Sequence, residues 1–271
     1  LKIEIFIENC RKKIDKALDS YLPKEKEYPS VIHKAMRYSV FSGGKRIRPA
    51  LLLAACQAAG GDVKKAMPAA CGIELIHTFS LIHDDLPSMD DDDYRRGKLT
   101  CHKKYGEAIA LLAGDALLNL SFQLFAKSDP KIAVRIIETA SKAVGTRGMI
   151  GGQVVDINSK EKDPGLPTLQ YINTHKTGAL IAASLKIGGI IGGASENKIQ
   201  RLQKYGEYLG VAFQIIDDVM DSQGYAEIFG DKGAMREAAR LTQKAKKEIK
   251  VFGKKAEVLE GISDHLLRRT I

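Results

Sequence analysis

The chain has 271 residues, 44% of them hydrophobic and 28% charged, enough apolar material for a substantial core and too balanced a composition for a disordered or fibrous chain. Lysine and arginine number 42 against 33 aspartate and glutamate, a net charge of +9, which suits anionic small substrates as well as a nucleic acid or a membrane surface. Tryptophan is absent and Tyr and Phe number only 9 and 8, so the core is aliphatic and lacks the stacking platforms of single-strand nucleic-acid binders; no nucleic-acid partner is expected.

Cys10, Cys56, Cys71 and Cys101 form no C-x-x-C pair, which points to reduced thiols in a cytoplasmic protein, not a disulfide framework or a zinc site. No stretch approaches the roughly 18 to 20 uninterrupted apolar residues of a membrane span, and the first residues mix charges with apolar groups, unlike a signal peptide.

In chain order, the first element is a helix whose apolar stripe runs Ile5, Ile7, Cys10, Ile14, Leu18 and Leu22. Breaks follow at 22–29, 42–44, 87–99, 128–130, 158–167 and 222–233, where proline, glycine and polar residues gather. A second clear stripe, Leu111, Leu112, Ala116, Leu117, Leu120 and Leu124, lies between two of these breaks. Only Pro68 falls outside a break or a helix's first turns, and no period-2 alternation persists long enough for a strand. The pattern predicts an all-α chain of about ten helices. It carries no internal repeat and no linker, so residues 1–271 form a single domain.

Two acidic clusters interrupt this pattern. The first, His83-Asp84-Asp85-Leu86-Pro87-Ser88-Met89-Asp90-Asp91-Asp92-Asp93, ends the apolar run 73–82. Carboxylates so crowded repel one another, and a multivalent cation would neutralise them; all-oxygen ligands select Mg²⁺ or Mn²⁺ over zinc. Asp84 and Asp90 stand about 240° apart on a regular helix, but Pro87 denies that helix its bond to the His83 carbonyl and can let the chain bring Asp90 back beside Asp84. The second cluster, Asp217-Asp218-Val219-Met220-Asp221, ends another apolar segment, with Asp217 and Asp221 on one helical face.

Basic groups stand where an anion needs them. Gly43-Gly44-Lys45-Arg46-Ile47-Arg48-Pro49 puts a flexible turn and three cations at a helix start, Arg95-Arg96 follow the first acidic cluster, and Lys176-Thr177-Gly178 opens an apolar helix. Acidic and basic sets together imply one diphosphate bound through metal and a second bound without it.

At this point the motifs GGKRIRP, IELIHTFSLIHDDLPSMDDDDYRRGKLTCHKKYG, LLAGDALL, GGQVVD, HKTGAL and FQIIDDVMD, in this order over roughly residues 30–222, resemble a trans-isoprenyl diphosphate synthase. The insertion of two residues in DDLPSMD is similar to the bacterial farnesyl diphosphate synthase type. The resemblance implies an isoprenoid synthase fold, ten or more helices around a deep central cavity, and a homodimer. It also implies head-to-tail condensation of isopentenyl diphosphate with dimethylallyl or geranyl diphosphate, and Mg²⁺, up to about three ions.

Carried over by position, the resemblance makes Asp84, Asp90 and Asp217 metal ligands, with Asp85, Asp218 and Asp221 in support. Lys176, Thr177 and Gln214 border the reacting carbons, and Lys176, Gln214 and Arg95 contact the allylic diphosphate. Lys45, Arg48, His77 and Arg96 match the isopentenyl diphosphate site, with Arg46 peripheral. Phe79 resembles the aromatic stop of fifteen-carbon synthases, with Ser80 beside it. A geranylgeranyl diphosphate synthase is the nearest alternative; a terpene cyclase shares the fold, but FQIIDDVMD and GGKRIRP count against it.

Beyond Asp221 the chain departs from the family pattern. No lysine-containing loop leads to a Lys-x-x-Tyr-Pro-like segment, and the residues run from Asp221 through Gly230-Asp231-Lys232-Gly233 directly into a helical sequence. Lys232 is the nearest candidate for a lid cation, and Arg268-Arg269 for a contributor to the second diphosphate site.

Overall fold

The computed structural model describes residues 3–159 and 165–268. Among these the chain forms thirteen α-helices, a six-residue π-helical turn at Asn173–Gly178 and a 3₁₀ stretch at Lys250–Ala256. The strands among the described residues are a two-residue antiparallel ribbon, Tyr94 opposite Leu99 and Arg95 opposite Lys98. The all-α expectation therefore holds. Arg269 lies outside the described residues, while Arg268 and Lys232 are exposed.

Helix ends fall where the breaks were expected, with one correction. Ile3–Tyr21 stops short of Pro23, Ser30–Val40 begins after Pro29, and Pro130–Val144 opens on Pro130. At 222–233, however, only a tight turn intervenes. Ser222 takes a left-handed φ of 54°, and helix Tyr225–Ile249 resumes at once, kinked at Gly230. The first apolar stripe holds, with Ile7, Cys10, Ile14, Leu18 and Leu22 buried and Ile5 alone exposed, but the second is rotated from its expected phase: Leu111 and Leu112 are exposed, while Ala110, Ala113, Leu117 and Leu124 in Glu107–Phe125 face inward. By length and composition Glu107–Phe125 is apolar enough to cross a membrane; its buried face is equally that of a core helix.

By its contacts the chain divides into two compact units. One comprises Leu1–Phe6, Leu51–Ala66 and Val134–Ile271. Within it, helix Ala179–Ile191 is apolar apart from Ser184 and Lys186 and buries Leu180, Ile181, Leu185, Ile187 and Ile190, as a largely enclosed helix must. Glu196–Asp221 buries Leu202, Tyr205, Leu209, Ile215 and Ile216 along one face. The hydroxyl of Tyr205 donates to the Leu259 carbonyl at 2.8 Å and lies 2.8 Å from Ser263 Oγ, which ties Glu257–Leu267 to this helix.

The other unit comprises Ile7–Ala50 and Met67–Ala133. Leu18, Val40, Leu75, Ile76, Leu117, Leu124 and Phe125 are buried here, and so, among apolar neighbours, are the charged Arg46 and Glu74. All four cysteines are free and buried, and burial raises Cys10 and Cys56 to about 11 and Cys71 to about 12.

Candidate active site

The first aspartate cluster sits in the unit 7–50 and 67–133, where helix Val63–Asp84 runs out. Asp85 N–H makes the last helical bond, to the Leu81 carbonyl at 3.1 Å, and Pro87 has no N–H to offer His83. The His83 carbonyl instead accepts from Leu86 at 3.2 Å, the turn tightens, and Asp90 N–H returns to the Asp84 carbonyl at 2.9 Å. Proline thus folds the chain back so that Asp90 is bonded to the helix end that carries Asp84.

Three further carboxylates of this cluster are held by cations. Arg95 Nε donates to Asp85 at 2.5 Å and its Nη2 to Asp92 at 2.9 Å, while Lys103 pairs with Asp93 at 2.6 Å. Burial, against the opposing pull of Arg95, holds the Asp85 carboxyl up at about 6. Arg95, expected on the allylic diphosphate, therefore spans two aspartates in this structure.

The basic residues gather in the same unit. Gly43 and Gly44 take φ of 114° and 119°, conformations open to glycine alone, and turn the chain so that Lys45 is exposed, Arg46 is buried and Arg48 is half-buried. Arg48 Nη1 lies 3.4 Å from His77 Nε2. Arg96, at the turn of the small ribbon, donates to the Gly43 carbonyl. Burial first, and then the charges of Arg48, Arg96, Arg46 and Arg95, hold His77 well below the ordinary histidine range, so its imidazole is neutral and can accept from Arg48. Phe79 is buried with its ring edge-on to His83 at 5.6 Å, and Ser80 Oγ turns back to the His77 carbonyl at 2.9 Å.

The second aspartate cluster sits in the other unit, beside a cavity of about 930 Å³ whose lining includes Asp156, Lys176, Thr177, Gln214 and Asp218. The π-helical turn Asn173–Gly178 carries Lys176 and Thr177; single π turns inside helices often mark functional positions. Lys176 Nζ donates to Asp156 at 2.6 Å, Thr177 Oγ1 to Gln214 Oε1 at 3.0 Å, and Gln214 Nε2 to Asp218 at 3.1 Å. The other Asp218 oxygen accepts from Tyr225 N–H at 3.1 Å, so this carboxylate also caps helix Tyr225–Ile249. Burial raises Asp218, against the opposing pull of the bonds from Gln214 and Tyr225. Asp217 is half-buried and Asp221 exposed.

Two residues of this unit escaped the sequence reading, Asp156 and Gln153. Both lie on Met149–Ser159, and both polar atoms of the Gln153 amide are buried without a hydrogen-bond partner among the described residues. Their signal was GGQVVD, where an amide and a carboxylate three apart share one face of an apolar helix. Among the described residues no group of three or more His, Cys, Asp or Glu is gathered into a metal site. What each unit offers is carboxylate oxygen, from Asp84 and Asp90 in one and Asp217 and Asp221 in the other, with His83 turned to the Leu111 carbonyl at 3.0 Å. That donor chemistry fits Mg²⁺.

An all-α fold with two aspartate-terminated helices and a glycine-turned basic loop defines a class, and comparison with known proteins identifies it. Residues 29–242 match the polyprenyl synthetase family, and the chain belongs to that family. It is 46% identical to the farnesyl diphosphate synthase of Geobacillus stearothermophilus, over 85% of this chain and 79% of that one. It is 41% identical to the geranylgeranyl diphosphate synthase of Cyanophora paradoxa, over 94% and 93%. The crystal structure of an FPP/GFPP synthase from Zymomonas mobilis superposes with a TM-score of 0.93 at 35% identity, covering 98% of each chain.

Proposed function

We propose that this chain is a Mg²⁺-dependent trans-prenyl diphosphate synthase, a prenyltransferase that joins isopentenyl diphosphate head to tail to dimethylallyl or geranyl diphosphate. Farnesyl diphosphate is its product, and it works as a cytoplasmic homodimer of one polyprenyl synthase domain. One observation carries this reading. A single unit holds both a carboxylate-rich turn, with Asp90 N–H on the Asp84 carbonyl, and a guanidinium-rich one, with Arg48 against His77 and Arg96 on Gly43. The first suits a cation and the second a bare anion, as two diphosphates bound in different ways require.

Asp84 and Asp90 would hold Mg²⁺, as would Asp217, with Asp85, Asp218 and Asp221 in support; the metal would supply positive charge to the departing diphosphate. Lys45, Arg48, His77 and Arg96 bind isopentenyl diphosphate, and neutral His77 fixes the Arg48 fork. Breaking the allylic C–O bond leaves a delocalised carbocation. The Thr177 hydroxyl and Gln214 amide oxygens line their cavity as electron-rich dipoles suited to it, and the Asp156 carboxylate keeps Lys176 in place. The isopentenyl double bond attacks, and the proton lost from the new chain passes to the released diphosphate, so the protein supplies no nucleophile.

Fifteen carbons is proposed because buried Phe79 stands about one turn before Asp84. A twenty-carbon product is the second reading, favoured by the relative named geranylgeranyl diphosphate synthase. The test is to incubate the purified chain with labelled isopentenyl diphosphate and each allylic starter, with Mg²⁺ or EDTA, and to size the products. Chain growth in Mg²⁺ that EDTA abolishes is expected; no consumption of isopentenyl diphosphate in Mg²⁺ would overturn the reading.

A further inference from the structure

Arg46 stands between Lys45 and Arg48, yet its side chain leaves the anion loop. It is only 4% exposed, and its guanidinium donates to Glu74 at 2.7 Å, Asp15 at 2.8 Å, the Val40 carbonyl at 2.6 Å and the Gly43 carbonyl at 3.2 Å. Its backbone holds a φ of 53°, a left-handed conformation that a residue with a Cβ resists. The Gly43 carbonyl also accepts from Arg96, and a Cβ on Gly44 would lie 2.6 Å from Arg96 Nη1. Arg46 and Arg96 thus grip the same turn.

Two carboxylates face the single charge of Arg46, so the triad as a whole adds no positive charge to the neighbouring anion site. Its contribution must be geometric. We infer that Arg46, clamped by Glu74 and Asp15, is a positioning residue that sets the 43–48 turn so that Lys45, Arg48 and Arg96 converge on one metal-free diphosphate. The identity of that diphosphate rests on the proposed prenyl transfer; the setting of the turn does not.

The test measures binding of inorganic pyrophosphate by calorimetry in EDTA, alongside thermal melting. Arg46→Lys keeps the charge but cannot reach four acceptors; it should melt cooperatively and bind pyrophosphate about tenfold or more weakly. Glu74→Gln keeps an acceptor for Nη1 and should stay within about threefold of the parent, whereas a purely electrostatic role would make it bind more tightly. In turnover, Arg46→Lys should raise KM for isopentenyl diphosphate and leave KM for geranyl diphosphate within about twofold.

A folded Arg46→Lys that binds pyrophosphate like the parent, a parent that binds none, or tighter binding by Glu74→Gln would each overturn the inference. Should Arg46→Lys fail to fold, Asp15→Ala, which removes only a half-buried acceptor, decides in its place: several-fold weaker binding supports the clamp and unchanged binding overturns it. Failure of the parent to condense isopentenyl diphosphate would remove the proposed reaction, while the pyrophosphate measurement would still decide the role of Arg46.

Discussion

Six aspartates crowd residues 84–93, and their surroundings divide them. Asp85, Asp92 and Asp93 are held by Arg95 and Lys103, whereas Asp84 and Asp90 meet at the helix end through a backbone bond. Under the proposed function, Asp84→Ala removes a metal ligand from a half-buried position and relieves repulsion among neighbours. Turnover should fall by about a thousandfold or more while the melting temperature holds; near-parental rates in excess Mg²⁺ would remove Asp84 from that role. Phe79, 6% exposed, is expected to limit product length. Phe79→Ala should lengthen the main product to twenty carbons or more, with a stability loss of about 3 to 5 kcal/mol for a buried aromatic truncation. Product sizing by mass spectrometry decides it, and an unchanged fifteen-carbon product would reassign Phe79 to the core alone.

At the scale of elements, the π turn Asn173–Gly178 depends on how closely helix Met149–Ser159 approaches it. A Cβ on Gly152 would lie 2.3 Å from Lys176 N and 2.8 Å from its Cα, so Gly152→Ala must push the two elements apart and stretch the 2.6 Å pair between Lys176 and Asp156. A fall in kcat of about tenfold or more and a lower melting temperature are expected; a variant unchanged in both would show that the contact yields without strain. None of this was legible beforehand. Asn-Thr-His-Lys-Thr-Gly has no composition that signals a π turn, and the partners Lys176 and Asp156 lie 20 residues apart. Helix limits and the return of Asp90 could be read, because proline acts through its own missing N–H. Stripe phase was read less well: apolar Leu111 and Leu112 look like core until burial shows Ala110 and Ala113 inside. Sequence counts Arg46 among the cations of the turn and leaves it peripheral to the anion site, without placing it in the core, because its acceptors, Asp15 and Glu74, are 31 and 28 residues away. A glutamate amid the apolar run 73–82 was the one signal of a buried partner.

Over the whole molecule, the exposed leucines of Glu107–Phe125 bear on assembly. Leu111 is 46% and Leu112 53% exposed on a helix otherwise apolar enough for a bilayer. Burying such a side chain fully contributes about 1.5 to 3 kcal/mol, and a two-fold interface between copies counts each contact twice. The proposed homodimer gives these side chains an apolar partner, and Leu112→Glu would set two carboxylates into that surface at a desolvation cost neither copy can offset. The variant should run as a single chain in light scattering at micromolar concentration where the parent runs as two, with its helical circular dichroism unchanged because position 112 faces out of its own unit's core. A Leu112→Glu dimer as tight as the parent would move the interface to another surface. A monomeric parent that binds neutral lipid vesicles, and loses them on this substitution, would instead assign the same leucines to a membrane.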